Sequence, residues 1–188
     1  MNRSFMKGDD PMPERLGKSF ALILVVVMLA GLAGNIPTKA GNKPMSLSDA
    51  IAKVKWFQDL KSEEKESLKS VASIRRAKAG EKIIEQGKST KKIIVVLDGK
   101  AQVLVDGKEV AILTGEFIVG EIEFLDMSPA SADVILQQDA DIIEMGNLAL
   151  YSLMDKEPRI GYLLMAELAR LEAERLRLTN LRWKAVGN

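Results

Sequence analysis

Neither cysteine nor histidine occurs anywhere in the 188 residues. A disulfide, a thiolate zinc site, a His-ligated iron site and a His-dependent nucleophile triad are therefore excluded together. Carboxylate and lysine chemistry stay formally open, but no paired-carboxylate pattern stands out from the solvated charges. Charge of one sign is lacking too. The 27 Lys and Arg balance 26 Asp and Glu, and a formal net charge of +1 gives no global field toward nucleic acid or an acidic partner. The lack of cysteine leaves the redox compartment open, because an exported domain can do without disulfides. An enzyme is not expected.

An apolar run, Phe20 to Ala33, follows Arg3, Lys7, Arg15 and Lys18 and is ended by Gly34, Asn35 and Pro37. It is short for a bilayer span of about 20 residues and matches the hydrophobic region of a secretory signal. Gly31 with Ala33, or Thr38 with Ala40, supplies the small-x-small pattern of a cleavage site. A cleaved signal peptide and an uncleaved membrane anchor extending through Ile36 are the two readings of this leader, which with its linker occupies residues 1–45. Either exports the folded part, to the periplasm or as a secreted or membrane-anchored domain, if the basic flank stays inside. Asp9, Asp10 and Glu14 before the run, and Lys39, Lys43, Lys53 and Lys55 after it, keep the cytoplasmic face of a membrane as the alternative.

The folded domain is expected at 46–188. Ser46 and Asp49 open a first helix with Ile51, Val54 and Phe57 on its apolar stripe, and Ser62 is expected to cap a second, with Leu68 and Val71 inward. β-rich runs follow at Lys82–Glu85, Lys92–Leu97, Ala101–Val105, Val110–Leu113, Val134–Gln137 and Ile142–Glu144. Asp98-Gly99 and Asp106-Gly107 are hairpin signals, since a tight type I′ turn needs positive φ at both central residues. Asn147 is expected to cap a short helix ending before Pro158, and a long helix runs from about Arg159 to Lys184. Two stripes line it. Tyr162, Ala166, Ala169, Ala173 and Leu176 are expected against the strands, leaving Leu164, Leu168, Leu171 and Leu178 as the seam of a homodimer, interrupted by Arg175.

Across Trp56–Leu181, Gly80-Glu81, Gln86-Gly87, Leu97-Asp98-Gly99, Gly115-Glu116, Gly120-Glu121, Pro129, Leu168-Ala169 and Leu176 occur in that order. This series resembles the cyclic nucleotide-binding domain family. The resemblance implies a mainly β fold with flanking helices: a β-roll or jelly roll of the double-stranded β-helix type, short N-terminal helices and a long C-terminal helix. Within Gly120–Val134 it implies a ligand cassette for cyclic AMP or cyclic GMP. Gly120 and Ile122 would offer backbone N–H groups to the phosphate, Glu121 would accept from the ribose 2′-hydroxyl, and Ser131 and Ala132 would complete the phosphate contacts.

Ala130 departs from the family pattern, which places an arginine after the proline to neutralise the phosphate. Loss of one charge-assisted hydrogen bond, about 1.5–3 kcal/mol, weakens binding by about 10- to 150-fold unless another cation substitutes. Asp133 adds a repelling acid or points to solvent. Each position also has a plain structural reading: Glu121 as a helix cap, Ser131 as a small packing residue, Phe124 and Leu125 as core, and Glu121, Glu123 and Asp126 as a solvated acidic face rather than a metal site. Trp183 is expected to anchor its helix or a dimer contact, with stacking on a base as the alternative. No helix-turn-helix follows the long helix, so direct DNA recognition is not expected. The two functional readings are a nucleotide-sensing regulatory module and a ligand-independent interaction scaffold on the same roll.

Overall fold

The computed structural model describes residues 45–186. The apolar run at Phe20–Ala33 and the leader expected around it lie outside these residues. Helices α1 (Leu47–Lys53) and α2 (Ser62–Lys69) flank a short 3-10 turn, Lys55–Phe57. Strands β1 (Ala72–Ala77), β2 (Lys82–Ile84), β3 (Lys92–Val105) and β4 (Lys108–Val119) lead to the short helix α3 (Glu121–Asp126). Strands β5 (Asp133–Leu136) and β6 (Ala140–Gly146) then precede α4 (Asn147–Lys156) and α5 (Pro158–Val186). This is the expected mainly β architecture with a long final helix.

The long β3 is the spine of a curled antiparallel sheet ordered β1-β6-β3-β5-β2, with β4 also paired to β3. Its first half pairs with β6, as Ile93↔Met145 and Val95↔Ile143, and its second half with β5, as Ala101↔Leu136 and Val103↔Val134. Alternation along the strands divides the core into two. Ile93, Val95, Ile118, Ile143 and Met145 face the helices and meet Phe57, Leu68, Leu150, Ile160, Leu164 and Leu168. Ile94, Val96, Phe117, Val119 and Ile142 face the roll interior and meet Ile84, Val134 and Leu136.

Several expected boundaries shift, each for a physical reason. Asp98-Gly99 is not a hairpin. The runs at Lys92–Leu97 and Ala101–Val105 fuse through it into β3, and a register irregularity between Val96 and Gly99 bends the strand. Gly99 has a crowding role instead, since a Cβ there would lie 2.4 Å from the Val96 side chain. Asp106-Gly107 does turn the β3–β4 hairpin, with φ of 51° and 75°. Val110–Leu113 is only the middle of β4. The β1 strand was not anticipated, because its Arg75-Arg76 breaks the apolar signal. Those arginines pair across the ladder with Glu144 and Asp141.

Capping differs in detail. Ser46 caps α1 as expected, accepting from the Asp49 N–H at 3.1 Å. Ser62 is the first residue of α2 rather than its cap; Glu64 reaches back to the Lys61 N–H at 2.7 Å. Asn147 likewise begins α4, after Gly146.

The two stripes of α5 are reversed before Arg175, and Leu178 beyond it is exposed. Ile160, Leu164 and Leu168 are buried and Leu171 packs beside them, while Tyr162 is 72% and Leu176 61% exposed. The leucine stripe carries more branched apolar volume, and burial against the core selects it over an alanine-rich face. Trp183 is exposed as well. Leu164→Ala is therefore expected to lower stability by about 2–5 kcal/mol, and Tyr162→Ala to stay within about 0.5 kcal/mol of wild type. Urea midpoints that ranked the two variants the other way would restore the opposite face to the core.

Candidate functional site

A left-handed glycine turn delivers α3. Gly120 sits at φ 83°, where a Cβ would come 2.2 Å from the Lys92 carbonyl oxygen, so both conformation and space require glycine. The expected Gly120–Glu121 pair therefore has a definite structural cause. From this turn α3 sends its side chains in different directions.

Glu121 is only 4% exposed and forms an ion pair with Arg175 of α5. Arg175 also donates to Glu172 at 2.7 Å and to the Ile118 carbonyl at 2.8 Å, so its guanidinium bridges α5, the end of β4 and α3. The second carboxylate oxygen, Oε2, is buried with no hydrogen-bond partner among the described residues. Burial pushes the Glu121 carboxyl above the ordinary carboxylate range, with Arg175 acting in the opposite direction.

Glu123 is also buried. It accepts from the Ser89 hydroxyl and from the backbone N–H groups of Thr90, at 2.7 Å, and Lys91, at 3.0 Å. Burial raises its carboxyl, but these donors outweigh burial and hold it below the ordinary range. Phe124 stacks on Tyr151 of α4, with ring centroids 4.4 Å apart, and the Tyr151 hydroxyl donates to the Phe124 carbonyl. The expected solvated acidic face is thus wrong for Glu121 and Glu123 and right only for Asp126. Phe124 is core as expected, whereas Leu125 is 40% exposed.

The loop after α3 closes against the β2–β3 connection. The Gly87 N–H donates to the Ala130 carbonyl at 2.8 Å, and the Ala130 N–H donates to the Lys88 carbonyl at 3.0 Å. The Ala130 side chain packs on the roll-interior core. Ser131 and Ile122 are exposed, and Ala132 is half-buried. Asp133 is not an unpaired acid. It pairs with Lys82 at 2.8 Å and accepts from the Gln86 N–H at 2.7 Å, and these partners lower its pKa. The Gln86 side chain exchanges hydrogen bonds with Asp106, which ties in the β3–β4 turn.

The structure therefore gathers Gly120, Glu121 and Ile122 at one turn and Ala130, Ser131 and Ala132 on the strap facing Gly87 and Lys88. Sequence reasoning missed Arg175 as a site residue. Its position on a leucine-rich helix read as an interruption of a seam, although a cation on an otherwise apolar face is itself a signal of a buried acid.

The two buried glutamates give opposite pH responses. Glu123, with its lowered folded pKa, contributes fully above the ordinary value of 4.5, and that contribution fades as pH falls through the folded value. Glu121, with its raised pKa, has the reverse sign: stability declines as pH rises from 4.5 through its folded value. In urea unfolding followed over about pH 3 to 8, Glu123→Gln is expected to flatten the acid-side loss and Glu121→Gln to remove the decline above 4.5. Parallel profiles for wild type and both variants would contradict these environments.

The family model described as cyclic nucleotide-binding domain matches residues 74–157. Over 111 residues the chain is 32% identical to the Pycsar effector protein XpPycTIR of Xanthomonas perforans, covering 58% of this chain and 37% of that protein's length. A cyclic nucleotide-binding domain from Methylobacillus flagellatus superposes with a TM-score of 0.60 at 25% identity, covering 72% of this chain and 79% of that one. The catabolite activator protein of Thermus thermophilus gives a TM-score of 0.56 at 26% identity, covering 70% and 62%. With the curled sheet, the Gly120 turn and the long closing helix, these matches show that residues 74–157 match the cyclic nucleotide-binding domain model and that the fold is the one these solved domains share.

Proposed function

We propose that the domain is a non-enzymatic regulatory module whose cassette, within Gly120 to Val134, binds a cyclic nucleotide, with cyclic AMP and cyclic GMP the first candidates. The observation that carries this reading is Glu121. It is buried, aimed by a glycine turn, and has one carboxylate oxygen on Arg175 and the other without a protein partner among the described residues. An unmatched buried acceptor is costly, and a ribose hydroxyl is a donor of the right kind to satisfy it. The Arg175 link supplies a route for output. A ligand donor at Glu121 alters that carboxylate's share in the ion pair, and α5 then shifts between two populations.

A specific observation favours the scaffold alternative. Ala130 packs on core and its N–H is already used by Lys88, so the strap can hold its shape with no ligand. Calorimetric titration of the full-length protein separates the readings. A sensor shows saturable micromolar binding that is lost in Glu121→Gln. Absence of both heat and thermal stabilisation at millimolar cyclic AMP and cyclic GMP would leave the scaffold.

The leader supports an exported or membrane-anchored setting, with the cytoplasmic face of a membrane as the alternative. No helix among the described residues is long and apolar enough to cross a membrane, so this reading rests on the Phe20–Ala33 run alone. Assembly as a homodimer would use the outward stripe of α5, where Tyr162, Leu176 and Trp183 are exposed at heptad spacing. Cell fractionation, N-terminal mass and sedimentation of the recovered protein test both proposals together. The expected result is an exported or membrane-bound dimer that Leu176→Glu converts to monomer. A cytosolic protein would remove the first proposal and a monomeric wild type the second.

A further inference from the structure

We propose that Lys88 supplies the cation that the cassette lacks at Ala130 and contacts the phosphate of a bound cyclic nucleotide. The inference rests on the nucleotide-binding reading above. The cations around the cassette are bonded to different degrees. Arg175 is shared by Glu121 and Glu172 and held by the Ile118 carbonyl, so moving it would leave a buried carboxylate uncompensated. Lys82 balances Asp133, a side chain only 17% exposed that also fixes the Gln86 N–H. Lys88 is different. Its partner is Glu85, three residues earlier at 2.9 Å, and the two side chains are 69% and 46% exposed. An exposed pair of this kind contributes little to stability, so Lys88 leaves its acid at less free-energy cost than Arg175 or Lys82 would.

The backbone puts this lysine opposite the departed position. Gly87, at φ 76°, and Lys88 together face Ala130, with the Gly87 N–H on the Ala130 carbonyl and the Ala130 N–H on the Lys88 carbonyl. Two residues against one, with a left-handed glycine first, is the arrangement of a G1 bulge, a device that re-aims side chains beside functional sites. The strap itself is fixed, because Asp133 holds Gln86 and Glu123 holds Thr90 and Lys91 on either side of the bulge. Between these anchors the exposed Lys88 side chain, a point charge on a flexible four-carbon stem, can turn from Glu85 toward a phosphate seated beside Ala130. The position that the resemblance gives to arginine is thus bonded, backbone to backbone, to a lysine.

Titration of the full-length protein with cyclic AMP and cyclic GMP, at low and physiological salt, tests this role in Lys88→Ala and Lys88→Arg. Lys88→Ala is expected to weaken binding by about 10- to 150-fold, the range for a charge-assisted hydrogen bond, and to reduce its salt dependence. Lys88→Arg should restore most of the affinity, with the melting temperature unchanged in both variants. Wild-type binding that Lys88→Ala leaves within about twofold overturns the role of Lys88 while the nucleotide-binding reading stands. A fall in melting temperature that Lys88→Arg does not repair would also overturn it, by making the residue structural. If wild type binds neither nucleotide, the reading itself fails and the role of Lys88 falls with it.

Discussion

The approach of Gly120 to the Lys92 carbonyl is the constraint on which the site depends. Only a residue without a Cβ can turn here at φ 83°, since a Cβ would come 2.2 Å from that oxygen, and this turn takes the chain from the end of β4 directly into α3. The turn sets the start of α3, from which Glu121 reaches Arg175 while buried. The backbone geometry of one residue therefore fixes the electrostatics of a helix more than fifty residues later in the sequence.

From that turn α3 works as a junction. Glu121 links it to α5, Glu123 to the segment 89–91, and Phe124 to α4 through Tyr151. Two buried carboxylates in so short a helix would be destabilising alone; here each is matched, though differently. Glu123 is satisfied by three donors and behaves as a structural anchor. Glu121 is satisfied at one oxygen only among the described residues, which leaves it a buried acceptor without a donor. That difference separates two buried carboxylates of one short helix by their hydrogen-bond partners.

The fold was largely legible because period-2 alternation and turn residues are local properties. Asp106-Gly107 specified its hairpin, and the ordered glycines marked the roll. Asp98-Gly99 misled, because the same dipeptide serves a bend when both neighbours keep their partners: β6 pairs before it and β5 after it. β1 was obscured by Arg75 and Arg76, whose acids lie some sixty-five to sixty-nine residues away. The α5 stripes could not be ranked without knowing which surface the helix would meet.

The sequence by itself determined the class of fold, the Gly120-Glu121 pair, the presence of Ala130 after Pro129 and the exclusion of His and Cys chemistry, since each depends on residue identity and short-range spacing. Only the tertiary structure decided that Glu121 and Glu123 are buried, that Arg175 meets Glu121, that Asp133 is neutralised by Lys82 and that Lys88 lies opposite Ala130. Burial and charge pairing depend on which distant segments the folded sheet brings together.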